Sequence, residues 1–377
     1  MAPRPLDLSH PPTSSPAVHP DARRGRGAIT NVSGRFEPEV RVTRDADFEF
    51  DDGWGGAENA EPTRTTVEID TSRTIIARNQ SPDIGFDRSI NPYRGCEHGC
   101  FYCFARPTHA YLGLSPGLDF ETRLFAKPEA PTLLASALRK PSYTCQMIAM
   151  GTNTDPYQPI EERYGVTRDV LKVLSAFSHP VGIVTKAARV TRDIDILADM
   201  AARGLAHVMV SVTTLDHRLA RKMEPRASTP QRRLEAVRLL SDAGIPTGVM
   251  VAPIIPGLTD HEIEPILQAA ANAGARTAGF VLLRLPYEIK DLARDWLHEN
   301  VPDRAAKVIG LVQGTRGGKD YNATFGTRMR GSGPYADLIA QRFKKAARRF
   351  GVDRKLPPLR TDLFHRPEAP NPQLSLI

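Results

Sequence analysis

The chain has 377 residues, 41% hydrophobic and 25% charged, and is long enough to bury a sizeable core. It has no apolar run of about 18 residues, which excludes a membrane-spanning helix. Its first residues lack the apolar core of a secretory signal. Four cysteines are too few for a disulfide framework. We therefore expect a cytoplasmic protein. The net charge of +7 permits an anionic partner such as nucleic acid without requiring one.

Residues 1–64 are expected to form a mostly disordered N-terminal segment. Up to about Gly56 they are rich in Pro, Arg, Ser and Asp and show no periodic apolar face. A basic block at Arg23–Arg26 is followed by an acidic one at Asp45–Glu61. Order is expected to begin near Thr65–Ile76, where the sequence TTVEIDTSRTII alternates like a strand.

The sequence pattern of residues 65–286 predicts repeated β/α units. Short apolar runs predict strands near Ser89–Tyr93 and at Cys145–Met150, Val181–Lys186, His207–Thr213, Thr247–Ile254 and Ala278–Leu285. Amphipathic helices are predicted between them, and glycines suited to a helix C-cap follow three of these, at Gly204, Gly244 and Gly274. Strands without alternation are typical of a parallel sheet covered on both faces. The sequence therefore predicts an α/β fold of about six units, fewer than the eight of a full barrel.

The sequence pattern of residues 287–356 predicts a basic extension of helices and loops. A helix is expected at Ile289–Val301, a glycine-rich loop at 316–335 and a basic amphipathic helix at 336–351. The basic residues are Arg316, Lys319, Arg328, Arg330, Arg342, Lys344, Lys345, Arg348 and Arg349. With interleaved aromatic residues they could bind nucleic acid. Equally, the helix could be solvated with Phe343 and Phe350 packed inward.

Residues 357–377 predict a Pro-rich, extended tail. It ends in Gln373, Leu374, Ser375, Leu376 and Ile377. This ending resembles the short peptide by which bacterial replication and repair enzymes dock on the sliding clamp. In that interpretation the glutamine occupies a polar niche, and the two leucines and Ile377 fill an apolar pocket. Apolar tails also occur by chance.

Three of the four cysteines crowd into the loop at 94–106. Cys96, Cys100 and Cys103 form C-x-x-x-C-x-x-C within NPYRGCEHGCFYCFAR. Gly95 and Gly99 allow the loop to fold back on itself. Three thiolates on a four-iron cluster leave one iron without a protein ligand, and that position is open for chemistry. The alternative is structural zinc closed by a fourth ligand, for which Cys145, His98 and His109 are candidates.

The cysteine spacing, with Tyr102 before the last cysteine, resembles the signature of the radical S-adenosylmethionine (SAM) superfamily. The resemblance covers roughly Arg88–Pro286. The segments GTNTDPYQPIE, TKAARVTRDIDIL, SVTTLD and MEPRASTPQRRLEAV resemble more narrowly the spore photoproduct lyase-like branch, often labelled DNA repair photolyase. The resemblance implies a partial (β/α)6 barrel, a [4Fe–4S] cluster and SAM. It also implies a 5′-deoxyadenosyl radical that abstracts hydrogen from the substrate, and an external electron donor.

The resemblance also implies roles for individual residues. Cys96, Cys100 and Cys103 would be the cluster ligands, and Tyr102 would lie at the adenine of SAM. The acceptors for the SAM amine would be Thr152, Asn153, Thr154 and Asp155, although such residues also form ordinary turns.

The SAM carboxylate would be bound by Lys186, at the end of its strand. Ser211 could bond the carboxylate or ribose, or else be a core serine. Glu224 and Arg226 could form an ion pair that shapes the SAM pocket, or a surface pair.

One departure from the family pattern concerns the hydrogen donor. The lyase uses a cysteine near the tip of its second barrel strand, where this chain reads GTNTD. Cys145 stands at the start of that strand and reads as a small buried residue. The specific lyase reaction therefore does not transfer from the resemblance.

Three hypotheses follow. The first is a radical SAM enzyme that acts on nucleic acid, with lesion reversal as a class-level idea. The second is a radical SAM enzyme that modifies a peptide, protein or RNA. The third is a non-catalytic zinc-binding adaptor.

Overall fold

The structure is a computed structural model, and it describes residues 18, 20–21, 23–37 and 62–368. The four residues of the predicted clamp peptide, Gln373, Leu374, Leu376 and Ile377, lie outside this part of the chain, as does most of the predicted N-terminal segment. Among the described helices, none combines the length and apolar character needed to cross a lipid bilayer.

Two sheets organise the fold. The strands are β1 Thr66–Ile69, β2 Ile76–Arg78, β3 Arg88–Ile90, β4 Tyr93–Arg94, β5 Arg123–Ala126, β6 Ile148–Met150, β7 Val181–Thr185, β8 Ala206–Ser211, β9 Thr247–Ile254 and β10 Thr277–Leu282. The large sheet has the order β10-β9-β8-β7-β6-β3-β2, and the small one β1-β5-β4. From β3 to β10 the large sheet is parallel, and β2 is antiparallel to β3. Six parallel strands confirm the predicted number of β/α units.

Helices lie between the strands and after β10. They are α1 Asp119–Thr122, α2 Ala130–Arg139, α3 Glu161–Tyr164, α4 Val166–Ala176, α5 Ile194–Ala202, α6 His217–Met223, α7 Pro230–Asp242, α8 Ile263–Asn272, α9 Ile289–Asn300, α10 Pro302–Gly314 and α11 Pro334–Phe350, with 3-10 turns at Arg106–Leu112, Ala188–Asp193 and Asp260–Glu262. Gly204, Gly244 and Gly274 have φ of +72°, +76° and +96°, as their predicted C-cap positions require. All three residues of β6 are buried, which fits a strand covered on both faces.

The large sheet curls so that its two edges meet through side chains. Asp83, between β2 and β3, accepts bonds from Arg328 and from the backbone N–H of Gly326, the latter at 2.6 Å. Arg328 also donates to Ser81 at 2.5 Å. We call these four residues the seam. It joins the loop between α10 and α11, which bonds to the edge of β10 through Met329, to the loop between β2 and β3. The sheet is therefore a partial barrel whose edges are bridged by loops.

The expectation of one strand over Thr65–Ile76 is wrong. The structure has two strands there, β1 and β2, which belong to different sheets. Between them Asp70 accepts a bond from Ser72 at 2.6 Å and pairs with Arg94. These contacts turn the chain away from the small sheet, and alternation of residue types alone does not reveal such a turn.

The basic extension closes one side of the barrel. The N–H of Leu282 donates to the carbonyl of Met329 at 2.9 Å, which covers the edge of β10. Helix α11 packs on α8 with Phe343 buried, as the solvated-helix interpretation expects. Arg316 is only 1% exposed, so it is unavailable to an external anion. Its guanidinium donates to four backbone carbonyls, those of residues 282, 283, 327 and 328.

Residues 23–37, which we call the N-terminal strap, lie within the segment expected to be mostly disordered. They are packed against the barrel instead. The N–H groups of Gly27 and Ala28 donate to the carboxylate of Glu121 at 2.9 and 2.8 Å. Arg26 donates to the carbonyls of Glu121 and Thr63. A stretch rich in arginine and glycine is ordered here because a buried carboxylate accepts its backbone donors.

Stability is predicted to fall as pH drops from about 6.5 to about 4, in part because of His179. Its Nδ1–H donates to the carbonyl of Pro180 at 3.0 Å, and its Nε2 accepts from Tyr143 at 2.8 Å, so both nitrogens serve the neutral ring. Burial lowers the pKa of His179 to about 4, below its unfolded value of 6.5. In this window the unfolded chain binds the extra proton, so up to about 3 kcal/mol of folding free energy is lost on acidification.

Urea unfolding of wild type and His179→Gln at several pH values checks this prediction. The variant is expected to have the shallower pH dependence between these limits. Equal slopes for the two proteins would contradict it.

Candidate active site

A cavity of about 520 Å³ opens at the C-terminal ends of the parallel strands, where barrel folds gather their functional groups. It brings together residues that are far apart in sequence. Those predicted to bind a cluster or SAM that line it are Cys96, Cys100, Cys103, Tyr102, Thr152, Asn153, Thr154, Asp155, Lys186 and Ser211. Of the residues predicted for these roles, Glu224 and Arg226 do not line it.

The cysteine loop is held in a tight turn. Gly99 has φ of +69°, and a Cβ at this position would lie 2.7 Å from an oxygen of Glu121. On its outer side the strap approaches so closely that a Cβ at Gly27 would lie 1.6 Å from the carbonyl oxygen of Gly99. Arg106, fully buried, donates through Nε to the carbonyl of Cys100 at 2.9 Å. Glycine at both positions therefore lets two backbone segments meet behind the cysteines.

The donor set of this loop fits a metal–sulfur group. Cys96, Cys100 and Cys103 are free, and burial raises the pKa of each thiol. Iron would therefore displace a proton from each sulfur on binding. Within residues 62–368 and the described part of the N-terminus, no three His, Cys, Asp or Glu side chains are arranged around a single ion. Three cysteines on a cubane cluster each bind a different iron, so they need not share one point.

The fourth ligands considered for structural zinc lie elsewhere or have other partners. Cys145 and His109 do not line the cavity. The Nε2 of His109 bonds to the carbonyl of Arg123 at 2.8 Å. His98 does line the cavity, and its Nδ1 lies 3.5 Å from a carboxylate oxygen of Asp155. Burial lowers the pKa of His98 to about 4.

In the loop after β6, some side chains are held by hydrogen bonds and others have no hydrogen-bond partner among the described residues. Asp155 accepts from the N–H of Tyr157 at 2.9 Å, the hydroxyl of Thr185 at 2.7 Å and the N–H of Lys186 at 2.8 Å. The hydroxyl of Thr154 donates to the carbonyl of Tyr93 at 2.9 Å. Asp155 thus ties the ends of β6 and β7 together.

The side chains of Thr152 and Asn153 have no hydrogen-bond partner in the described part of the protein, yet they line the cavity. They are the free acceptors in this loop.

Lys186 is the cation beside the cysteines. Its ammonium lies 5.7 Å from the centre of the Tyr102 ring and 3.5 Å from the carbonyl oxygen of Ala252. It has no carboxylate partner among the described residues. Ser211 is buried at the end of β8, and Arg233 donates to its carbonyl at 3.1 Å. Both side chains are therefore available to a ligand in the cavity.

The predicted ion pair between Glu224 and Arg226 is wrong. Glu224 is buried and pairs with Arg233, and it also accepts from Tyr102 and, at 2.8 Å, from Thr213. Burial raises the pKa of Glu224, whereas Arg233 lowers it. Arg233 lies on α7 and is buried. Glu224 thus orients the Tyr102 ring from outside the cavity. Proximity in sequence indicated Arg226 as the partner of Glu224, whereas its partner in the structure is Arg233.

Arg226 forms a different pair, outside the cavity. It donates to Glu97 at 2.5 Å, and Glu97 also accepts from Thr65 at 2.6 Å. The backbone N–H of Arg226 donates to the carbonyl of His98 at 3.3 Å. Its contacts support the back of the cysteine loop.

Comparison with known proteins agrees with this geometry. The model of the radical SAM superfamily matches residues 90–270. An uncharacterized protein of Mycobacterium tuberculosis strain H37Rv is 37% identical over 242 residues, which are 63% of this chain and 71% of the relative. A protein of Pseudomonas phage M6 named radical SAM Nalpha-GlyT isomerase is 24% identical over 48% of this chain and 36% of its own length.

Solved structures of spore photoproduct lyase share the fold. One with bound AdoMet and dinucleoside spore photoproduct has a TM-score of 0.54 and 16% sequence identity, covering 75% of this chain and 78% of the lyase. Enzymes of the matched superfamily bind a [4Fe–4S] cluster and SAM, and the free thiols of the cavity suit such a cluster. The chain belongs to the radical SAM superfamily, and it is an enzyme of that type with these two cofactors.

Proposed function

We propose that the cavity is the active site and that Cys96, Cys100 and Cys103 hold the [4Fe–4S] cluster there. The observation that carries this proposal is the shared cavity, which joins the three thiols to the ends of β6, β7 and β8. Together the two cofactors would supply reductive cleavage of SAM and abstraction of hydrogen from the substrate.

The chain contributes binding and orientation. Lys186 binds the carboxylate of SAM, because its charge has no carboxylate partner among the described residues. Thr152 and Asn153 accept from the SAM amine, and Tyr102, fixed by Glu224, borders the adenine. Ser211 bonds the carboxylate or ribose. Asp155 is a positioning residue, since its oxygens already accept from Tyr157, Thr185 and Lys186.

We propose a nucleic-acid substrate. The exposed face of α11 carries Lys344, Lys345, Arg348 and Arg349, opposite the buried Phe343. A face of this kind neutralises phosphates. The fold is that of a lyase solved with a dinucleoside photoproduct. Lesion reversal in DNA is the specific form of this proposal.

The hydrogen donor of the lyase does not carry over. Cys145 lies before β6 and away from the cavity, and GTNTD at the tip of that strand contains no cysteine. The second candidate is modification of a peptide, protein or RNA by the same core. An external electron donor is part of either proposal.

Lys186→Ala is expected to weaken SAM binding about tenfold or more while the cluster stays intact, because one charge-assisted contact to the carboxylate is lost. Equilibrium binding of SAM to anaerobically reconstituted protein, together with iron content, checks this. The same protein with reductant should release methionine and 5′-deoxyadenosine, and the variant should release less at subsaturating SAM.

Lys172→Ala is the matched control. Lys172 is exposed on α4 and pairs with Asp169, so its loss removes the same charge far from the cavity. Normal SAM affinity in Lys186→Ala would remove the assignment of Lys186. If wild type with its full iron content forms no 5′-deoxyadenosine under reducing conditions, the proposed function fails.

A further inference from the structure

One part of the cavity wall contains none of the residues assigned to the cluster or to SAM. It is formed by the end of β10 and residue 284 beyond it, the loop at 328–329, the loop before β3 and the residue after the third cysteine. Its side chains include Phe86, Phe104, Val281, Arg284, Arg328 and Met329. The two arginines differ in their partners. Arg328 belongs to the seam and pairs with Asp83, whereas Arg284 forms no ion pair with a described residue.

The guanidinium of Arg284 is poorly satisfied. One terminal nitrogen contacts the sulfur of Met329 at 3.2 Å, and the other lies 3.4 Å from the hydroxyl of Tyr321. Its Nε is buried without a hydrogen-bond partner. A guanidinium offers five donors in a planar fork, and a buried donor without a partner costs free energy. A ligand with two acceptor oxygens would satisfy it.

The surroundings of Arg284 carry excess positive charge. Arg316, bonded only to carbonyls, lies nearby: burial, with a smaller contribution from the charge of Arg284, lowers the pKa of Arg316 to about 10. Asp83 is the nearby carboxylate, but its oxygens already accept from Arg328 and from the N–H of Gly326. Two of these arginines, Arg284 and Arg328, line the cavity, and the carboxylate beside them is already bonded. This part of the cavity attracts an anion.

Aromatic rings stand beside the same cation. The guanidinium carbon of Arg284 lies 5.2 Å from the ring centre of Phe104 and 6.0 Å from that of Tyr321. Phe104 is 48% exposed although it directly follows the third cysteine. Proteins bind single-stranded nucleic acid by placing an exposed aromatic ring beside a cation. The cation binds a phosphate, and any base can stack on the ring because every base has a flat aromatic face.

We propose that Arg284 and Phe104 form a nucleotide subsite, in which Arg284 binds a phosphodiester oxygen pair and Phe104 stacks on a base. The subsite rests on the proposed function, since it places an internal nucleotide of the substrate in the same cavity as Lys186 and the cysteines. Arg284 binds substrate and not SAM. Its two terminal nitrogens give up the weak contacts to Met329 and Tyr321 when the phosphate arrives.

The test uses full-length, anaerobically reconstituted protein saturated with SAM. The probes are a fluorescein-labelled single-stranded oligodeoxynucleotide and its methylphosphonate analogue, which has the same bases and an uncharged backbone. Arg284→Gln is expected to weaken binding of the phosphodiester probe roughly 10- to 100-fold and to leave the methylphosphonate probe unchanged. Arg284→Lys should fall between. Phe104→Ala should weaken binding of both probes, because stacking does not depend on backbone charge.

Arg238→Gln is the matched control. It removes one positive charge from the outer face of α7, where Arg238 pairs with Glu235 and Asp242. SAM affinity and substrate-free formation of 5′-deoxyadenosine should be normal in every variant, which also shows that the variants fold. Weakened SAM binding in Arg284→Gln would place the residue in the cofactor site and overturn the proposal.

Two further outcomes also overturn it. Unchanged affinity of Arg284→Gln for the phosphodiester probe is one. The other is an acidic peptide that binds wild type in an Arg284-dependent manner where the oligonucleotide does not. Wild type that cleaves SAM but binds no oligonucleotide would refute the subsite and the nucleic-acid substrate while leaving the proposed SAM chemistry standing. Wild type that cannot cleave SAM would refute that chemistry.

Discussion

Cys100→Ala is expected to abolish both the cluster and SAM cleavage. Cys100 is buried on the cavity wall, and Arg106 fixes its backbone carbonyl, so its thiol is held at a defined place in the cysteine loop. A cubane cluster with two protein thiolates has two open irons and is not retained. Iron and sulfide content after anaerobic reconstitution, the charge-transfer absorption and 5′-deoxyadenosine formation are the measurements.

Cys145→Ala is the control with the same chemical change. Cys145 lies outside the cavity, so this variant should keep its iron and its SAM cleavage. A Cys100→Ala protein with wild-type iron content would contradict the ligand assignment. If Cys145→Ala lost as much iron as Cys100→Ala, the loss in both variants would reflect impaired folding and not the removal of a cluster ligand.

Glu121→Gln is expected to lower the free energy of unfolding by about 3–5 kcal/mol, because it leaves the charge of Arg106 buried without its partner. Both side chains are fully buried, and they form an ion pair. The carboxylate also accepts from Gly27 and Ala28, so the same change loosens the strap behind the cysteine loop. Urea unfolding of the reconstituted protein measures the loss, and iron content is expected to fall with it.

Glu235→Gln makes the same substitution at a solvent-exposed pair. Glu235 accepts from Arg238 three residues along α7, and such exposed pairs contribute little to stability because solvent screens them. The two variants make the same chemical change to an ion pair, but the Glu121 pair is buried and its carboxylate also accepts from the strap. A loss of less than about 1 kcal/mol in Glu121→Gln would show that the ion pair behind the cysteine loop is not needed for its stability.

The sequence predicted the parts of the fold whose signal is local. Short apolar runs predicted β7 and β8, whose ends at Thr185 and Ser211 lie one and two residues before the predicted ends at Lys186 and Thr213. The C-cap glycines such as Gly244 follow from position alone. Because parallel strands end at one edge of a sheet, the placement of Lys186 and Ser211 on one cavity was predictable from the order of the elements.

The sequence could not reveal contacts between distant segments. Glu121 lies more than ninety residues from Gly27, and nothing near either residue marks the other as its partner. The pairing of Glu224 with Arg233 instead of Arg226 depends on which face of α7 turns inward. The sequence did not single out Arg284. This residue matters because no described carboxylate pairs with it, and only the folded structure shows which partners a side chain has.

The seam has a consequence for how a long molecule reaches the cavity. In a closed barrel the wall is a continuous hydrogen-bonded ladder, and a polymer has to enter from an open end. Here Asp83, Ser81, Gly326 and Arg328 hold the wall together by side-chain contacts. Parting them leaves every strand pair intact, so the barrel can admit the middle of a chain sideways without a free terminus. Such an opening would respond to ionic strength, since an ion pair holds it shut.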